Sequence, residues 1–409
     1  MKSLNITVLD ISTQHIRALC GSKDLKTGEI KIIAKAEAPC FGVRAGEITK
    51  PEQVALAIEG VIAELNKQTN WKIKEVVANI SGSHIFAVSS QGLVSVARAD
   101  QHISYDDVQR ALKAAQVVNL PLNKEVLEVF PQEFIVDGEA GIKDPIGLAG
   151  IRLEVKAILA CLFSPVLENL EKAIARANLQ LVDVEVAPLA CSRAVLTQEQ
   201  KELGVLLLEI GSGATSCAVF EKGVLKDFVI FPVGSANITN DIAIGFRTEI
   251  QTAERLKIDY GFLAAAKKSP AAKTKEKPAP KADITLGIEF SQKFLNNIIQ
   301  ARVNEILDEV SKAMKKYLVS QSLPGGIVFC GAGALLPGLA DYCRAKFKLP
   351  CRLGHSREFP GISAIQWACC LGLLLGVFEE EKNPVQAVQF SHSSGLKEKI
   401  KRIVKSFLP

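Results

Sequence analysis

Two stretches of this chain open in the same way, and that repetition constrains the fold more than any other feature. Residues 5–21, NITVLDISTQHIRALCG, are an apolar run closing on an acid, Asp10, then a turn and a second run; IKIIAKAEA follows. Residues 203–231, LGVLLLEIGSGATSCAVFEKGVLKDFVIF, repeat the pattern around Glu209. Apolar runs bounded by Gly, Ser and Lys turns read as strands. Each copy is therefore strand, turn, strand, turn, strand. A duplicated domain, each copy a β-meander followed by helices, places Asp10 and Glu209 in equivalent positions. With 409 residues, 48% of them apolar, the chain can bury a core in each copy.

Between the copies the texture changes. After the first meander, Pro51 to Asn66 has apolar residues at helical period behind a proline, and EVVANI returns to strand. From about His84, FAVSSQGLVSVA reads as two strands. Ser104 caps a helix with Asp106 and Asp107 in its first turn. LEVFPQEFIVDG and IRLEVKAILACL are strand-like around the loop GIKDPIGLAG. Residues 84–162 thus form an α+β inset. Pro165 to Ala177 reads as helix and LVDVEVA as strand. In the second half, Phe290 to about Val319 predicts one long amphipathic helix, and IVFCGAGALLPGL reads strand, turn, helix. Residues 264–283 hold six lysines among Ala and Pro, and their composition predicts a mobile surface loop.

Composition removes several function classes. The net charge of +5, with only 4 Tyr and 2 Trp, offers no basic stripe interleaved with aromatics and excludes a nucleic-acid binder. The ten cysteines form no C-x-x-C pair, which predicts reduced core thiols. The opening MKSLNITVLDIS has no apolar stretch of secretory-leader length. Residues 362–378 are 17 uncharged positions containing Gln366 and Gly372, and predict a buried helix over a membrane span.

Three turns follow strands, after Asp10, Glu209 and Cys330, and the last two bear glycines. Such turns aim backbone N–H groups outward at phosphate oxygens. An acid at the strand end can hold Mg²⁺ through water, because that ion keeps most of its hydration shell. Two such hairpins, one per copy, would clamp a triphosphate.

The residues Pro131-Gln132-Glu133-Phe134-Ile135 with Asp137, the run Gly141-Ile142-Lys143-Asp144-Pro145-Ile146-Gly147-Leu148-Ala149-Gly150, and Asn237-Ile238-Thr239-Asn240-Asp241-Ile242-Ala243 carry a resemblance. The chain resembles the FtsA family of actin-like division proteins, within the actin/Hsp70/sugar-kinase superfamily, over nearly its whole length. The resemblance implies an α/β fold: duplicated actin-like (ribonuclease-H-like) domains around a nucleotide cleft, with an α+β inset subdomain and a C-terminal amphipathic helix. It implies subdomain 1A at 1–83 and 163–202, the inset 1C at 84–162, 2A at 203–233 and 320–378, and 2B at 234–319. It implies ATP or ADP with Mg²⁺ as cofactors. Asp10, Ser12 and Thr13 would face the nucleotide from the first hairpin, and Glu209, Gly211, Ser212 and Gly213 from the second. Gly234 and Asn237 would follow from the next loop. Glu254 and Lys257 of an E-x-x-K would reach the ribose, and Gly331 and Gly333 the adenosine. The metal would sit on Asp10 and Glu209 through water.

The chain departs from the family where phosphate would bind. The family usually has glycine at Ser12 and Ser212, aspartate at Glu209 and Ser216, threonine at Ala214, and often lysine at His15. Glycine in such turns permits φ > 0 and close approach, so the two serines predict a narrower site of reduced affinity. The lost acid predicts slow or absent hydrolysis. No other catalytic constellation involves the five histidines.

The tail is a separate signal. In residues 395–409, GLKEKIKRIVKSFLP, Leu396, Ile400, Ile403, Val404, Phe407 and Leu408 form one apolar stripe at helical period. Lys397, Lys399, Lys401, Arg402 and Lys405 occupy the other face against one acid, Glu398. A basic amphipathic helix reads as an interfacial anchor for an anionic membrane, each cation contributing about 1 kcal/mol. Residues 379–394 read as a linker spanning roughly 20–24 Å. The family resemblance implies a peripheral place on the cytoplasmic face of the inner membrane at the division site. Its implied partners are the C-terminal peptide of the tubulin-like division-ring protein and further copies of itself. Two alternatives stay open on the residues: an active ATPase or kinase of the same superfamily, and the actin-like adaptor of type IV pilus assembly, which the tail disfavours.

Overall fold

The structure is a computed structural model that describes residues 3–97, 100–264, 290–319, 323–356, 359 and 362–379. The expected loop at 264–283, the linker and the amphipathic tail lie outside the described residues, apart from residues 264 and 379.

The first sheet begins with β1 (Ser3–Ile11), β2 (His15–Asp24) and β3 (Ile30–Pro39). A small ribbon, β4 (Val43–Arg44) with β5 (Glu47–Ile48), leads to α1 (Pro51–Thr69), which starts on proline and ends on left-handed Asn70. β6 (Glu75–Ile80) then returns to the sheet. The inset follows: β7 (Phe86–Ser95), α2 (Tyr105–Ala115), β8 (Lys124–Val136), β9 (Glu139–Ile142) and β10 (Arg152–Phe163). The chain rejoins the first half through α3 (Ser164–Arg176), β11 (Gln180–Val186), α4 (Ala187–Val195) and α5 (Gln198–Leu203).

The second half opens with β12 (Val205–Ile210), β13 (Thr215–Glu221) and β14 (Val224–Phe231). Next come α6 (Ser235–Phe246), α7 (Ile250–Tyr260), α8 (Gln292–Ala313) and α9 (Lys315–Val319). β15 (Ile327–Cys330), a 3-10 turn (Ala332–Leu335), α10 (Leu339–Phe347), β16 (Cys351–Leu353) and α11 (Ala368–Glu379) complete it.

The duplication is visible in strand order. The first sheet runs β11-β6-β1-β2-β3 and the second β16-β15-β12-β13-β14. In each, the acid-bearing strand pairs antiparallel with the strand that follows it and parallel with its other neighbour. Asp10 faces Arg17 across its hairpin and Glu209 faces Ser216 across the other. The central strands are buried on both faces, which is why they read as unbroken apolar runs.

The inset has its own sheet, β7-β10-β8-β9, and its own core, including Val108, Leu112, Phe134, Leu153 and Val155. It lies against β14, the outer strand of the second sheet. Gln132 Nε2 donates to Leu225 O at 3.1 Å and Lys143 pairs with Glu202 at 2.9 Å. A covered edge strand is protected from unwanted pairing.

Three expectations need correction. FAVSSQGLVSVA is one strand, β7. Gly92 is no turn: a Cβ there would stand 2.0 Å from Ala111 O, so the glycine lets α2 lie close on the strand. The long helix is interrupted at Met314. The uncharged stretch 362–378 becomes helical only from Ala368, and that helix is buried. Among the described residues no helix is long and apolar enough to cross a membrane. All ten cysteines are buried free thiols.

Candidate nucleotide cleft

Between the two sheets lies a cleft of about 530 Å³, in the size range of small-molecule sites. Its floor is where β1 and β12 end. Asn79, near the end of β6, donates from Nδ2 to Asp10 Oδ1 at 2.9 Å and accepts from Ile11 N at 2.7 Å. The Cys369 thiol lies within hydrogen-bonding reach of the same carboxyl. Burial pushes the Asp10 pKa above its ordinary value, against the opposing pull of Arg17. Ser216 Oγ donates to Glu209 Oε2 at 2.5 Å. Burial raises Glu209 to about 7, and the nearby Asp10 adds to the rise. The basic side chains on the cleft wall are engaged: Arg17 with Glu37 at 2.7 Å, Lys257 with Glu254 at 2.7 Å. Burial and the nearby Arg17 lower the His15 pKa from its ordinary value, against the opposing pull of Glu37.

The two turns face each other in contact. In the first, Ser12 N and Oγ both donate to His15 O, at 3.1 and 2.8 Å. Thr13 Oγ1 accepts from Gly46 N at 3.2 Å. In the second, Gly211 N donates to Ala214 O at 2.9 Å. A Cβ on Gly213 would stand 2.5 Å from Thr13 Oγ1. The glycines are therefore used differently from expectation. Neither Gly211 nor Gly213 has a positive φ; what they provide is the missing Cβ. Gly331 does need its freedom: φ is +84°, and a Cβ would stand 2.4 Å from Ile210 O.

The start of α6 braces the second turn from behind. Ser235 N donates to Gly211 O at 2.9 Å and Ala236 N to Ser212 O at 2.8 Å. Gly234 N donates to Asn237 Oδ1 at 3.0 Å, and a Cβ on Gly234 would stand 2.5 Å from Ser212 O. Of the residues singled out in the sequence, Asp10, Ser12, Thr13, Glu209, Gly211, Ser212, Gly213, Glu254, Lys257, Gly331 and Gly333 share the cleft wall. Gly234 and Asn237 stand behind it as supports. Lys257 is buried, and its ammonium also donates to Thr239 Oγ1 at 2.8 Å and Ser235 O at 3.3 Å. Glu254 additionally accepts from the Thr239 hydroxyl.

Sequence reading missed Asn79, although a polar residue inside the apolar run EVVANI was the available signal. It also missed Arg17 and Glu37, which look like ordinary alternation along a strand. Ile258 and Leu335, exposed at the cleft mouth, left no signal separable from surface apolar residues.

Two buried hydroxyls near the second turn have no partner, Ser212 Oγ and Thr215 Oγ1. A buried polar group left unpaired costs about 1–3 kcal/mol. Thr215 is fully buried off the cleft, whereas Ser212 is on its wall. No group of three or more His, Cys, Asp or Glu among the described residues is arranged to hold a metal ion.

A family model described as Cell division protein FtsA matches residues 206–372, and one described as SHS2 domain inserted in FTSA matches residues 82–160. The chain is 32% identical over 383 residues to Cell division protein FtsA of Neisseria meningitidis, covering 92% of this chain and 91% of that one. It is 31% identical over 389 residues to the Bacillus subtilis protein of the same description, covering 93% and 87%. Among solved structures, the PilM-PilN type IV pilus biogenesis complex aligns with a TM-score of 0.65 at 16% identity, over 93% of this chain and 99% of that one. MreB5 of Spiroplasma citri bound to ADP aligns with a TM-score of 0.56 at 14% identity, over 93% and 98%. These two structures share the actin-like fold.

Proposed function

The chain belongs to the FtsA family of cell division proteins, and from that premise we propose that it is an actin-like adaptor. It binds an adenine nucleotide in the cleft, self-associates, and tethers the tubulin-like division-ring protein to the cytoplasmic face of the inner membrane. The observation that carries the nucleotide reading is the contact of Thr13 with Gly213, which joins two acid-ended hairpins across one cleft. A solved relative in fold, MreB5, is described as bound to ADP and in another structure to AMPPNP, which supports an adenine nucleotide here.

In this reading the turn amides and Ser212 meet the phosphates. Asp10 and Glu209 would hold a hydrated Mg²⁺ through its waters. The ion would supply charge neutralisation between phosphate and floor. Glu254 and Lys257 lie on the wall toward the ribose, and Gly331 and Gly333 toward the adenosine. Ser216 holds Glu209 at a position where a second acid is usual in the family, so the site retains nucleotide and turns it over slowly if at all. We assign 1–83 with 163–202, 84–162, 203–233 with 320–378, and 234–319 as the four subdomains, the last receiving the division-ring peptide. Residues 395–409 are the membrane anchor and 379–394 its linker.

The test is co-sedimentation with anionic vesicles in the presence of ATP and Mg²⁺, with filaments scored by electron microscopy. The full chain should pellet with the vesicles, and a chain ending at Ser394 should not. Equal pelleting of both would remove the anchor from the reading. Robust single-turnover ATP hydrolysis would replace the adaptor by an active ATPase.

A further inference from the structure

The connection from α2 to β8, residues 116–123, reads QVVNLPLN, and the stretch 113–124 around it has a lysine at each end and no acid. Its backbone is folded on itself. Val117 N donates to Ala114 O at 3.2 Å, Val118 N to Gln116 O at 2.8 Å, Leu120 N to Val118 O at 3.0 Å and Lys124 N to Pro121 O at 3.0 Å. Ser164 N ties the end of the loop to the body through Asn123 O at 3.0 Å. Val118 and Leu120 pack against the inset core. Val117 and Leu122 project into solvent, 86% and 103% exposed. Lys113 and Lys124 are exposed at the two bases, the Lys124 ammonium resting 4.6 Å from the Phe86 ring centroid. Single apolar residues on a surface need no explanation. Here they crown an uncharged loop whose amides are in part already paired, and such a loop leaves water at lower cost.

We propose that this loop is a second membrane contact, Val117 and Leu122 entering the interface of an anionic bilayer while Lys113 and Lys124 meet lipid headgroups. Charge favours lipid as the occupant, because cations beside an apolar tip complement an anionic surface. The place where the tail leaves the body favours it too. The described chain ends at Glu379, and the Arg193 guanidinium lies in the field of both Glu379 and Glu128 of β8. From Glu128 back to Lys124 is about 13 Å along a strand. The linker reaches roughly 20–24 Å. The tail helix and the loop can therefore lie on one lipid surface at once. The inference rests on the membrane reading of the tail and adds to it a contact made by the body. A helix on a flexible linker leaves the body free to turn, whereas a second contact gives it one orientation on the bilayer.

All ten native cysteines are buried, so an introduced surface thiol can be labelled selectively. The experiment labels V117C and L122C of the full chain with a nitrobenzoxadiazole fluorophore, and E139C on exposed β9 as the control. Vesicles of phosphatidylglycerol and phosphatidylcholine carry a nitroxide-labelled lipid as quencher. Emission from V117C and L122C should shift to the blue and be quenched, and that from E139C should not. V117S/L122S should weaken vesicle binding of the unlabelled chain about tenfold. A second arm holds each labelled chain to the vesicles by a hexahistidine tag after Pro409 on a nickel-chelating lipid, so the loop is read even if the tail does not bind. Unshifted emission from V117C and L122C in that arm would overturn the proposal, and pelleting of the untagged chain would leave the tail reading standing. Shifted emission there without pelleting of the untagged chain would bring down the tail reading alone. Equal quenching of E139C would overturn the proposal by removing any preferred face. A shift that needs no vesicles and grows with protein concentration would also overturn it, by assigning the loop to a contact between copies.

Discussion

Glu209 shows how much a single residue's surroundings alter its chemistry. Its carboxyl sits between Ser216 and the field of Asp10, and burial lifts its pKa from 4.5 to about 7. Between those two values the folded chain keeps a proton that the unfolded chain has released. Stability of the ligand-free protein therefore falls as pH rises through that window, and the penalty is complete above about pH 7. A shift of that size corresponds to roughly 3 kcal/mol. E209Q keeps an acceptor for Ser216 and removes the charge. Its urea midpoint should exceed that of wild type at pH 8 and approach it near pH 4, below the unfolded-state value; parallel pH profiles for the two proteins would refute the assignment. Asp10 shifts in the same direction, so some slope should remain. The sequence marked both acids by their place at a strand end. It did not show Asn79 or Cys369 beside Asp10, since these come from other strands and helices.

At the scale of elements, the crossing of α4 and α11 beneath the cleft is the closest glycine contact among the described residues. A Cβ on Gly372 would stand 1.7 Å from Ala190 O, which is backbone and cannot turn aside. Gly376, one turn on, would meet side-chain ends and no backbone, Arg193 Nη1 at 3.0 Å and Glu185 Oε2 at 3.4 Å. G372A should therefore destabilise the chain by about 1–3 kcal/mol through overpacking. G376A, which gains helix propensity, should cost less than G372A. Urea denaturation of the two variants compares them directly, and equal midpoints would show that the crossing is not this tight. Lys23 completes the element by donating to Phe378 O at 2.8 Å at the end of α11. The uncharged run 362–378 was readable as a buried helix, but its first six residues are not helical. Composition recorded the burial of that segment and carried no information about where the crossing with α4 begins.

For the whole molecule, Arg193 is the point where separate parts meet. From α4 it pairs with Glu185 on β11, and it lies in the field of Glu128 on the inset strand β8 and of Glu379 at the end of α11. Burial brings Lys201, on α5 nearby, down to about 8. Removing one partner from a buried pair leaves the other charge uncompensated, at a cost of about 3–5 kcal/mol. R193M should lower the unfolding midpoint accordingly, and a midpoint within error of wild type would show that the pair adds nothing. The repeated meander, the inset and the two acid-ended strands were legible in the sequence, because strand and helix periods and turn residues are local properties of the chain. Only the tertiary structure decided that Gly211 and Gly213 serve close approach where Gly331 serves conformation, that Ser12 is satisfied while Ser212 is free, and that Arg193 ties the inset to both α11 and the sheet. Each of these depends on atoms brought within a few ångströms from residues far apart in the chain, and no local pattern encodes such distances.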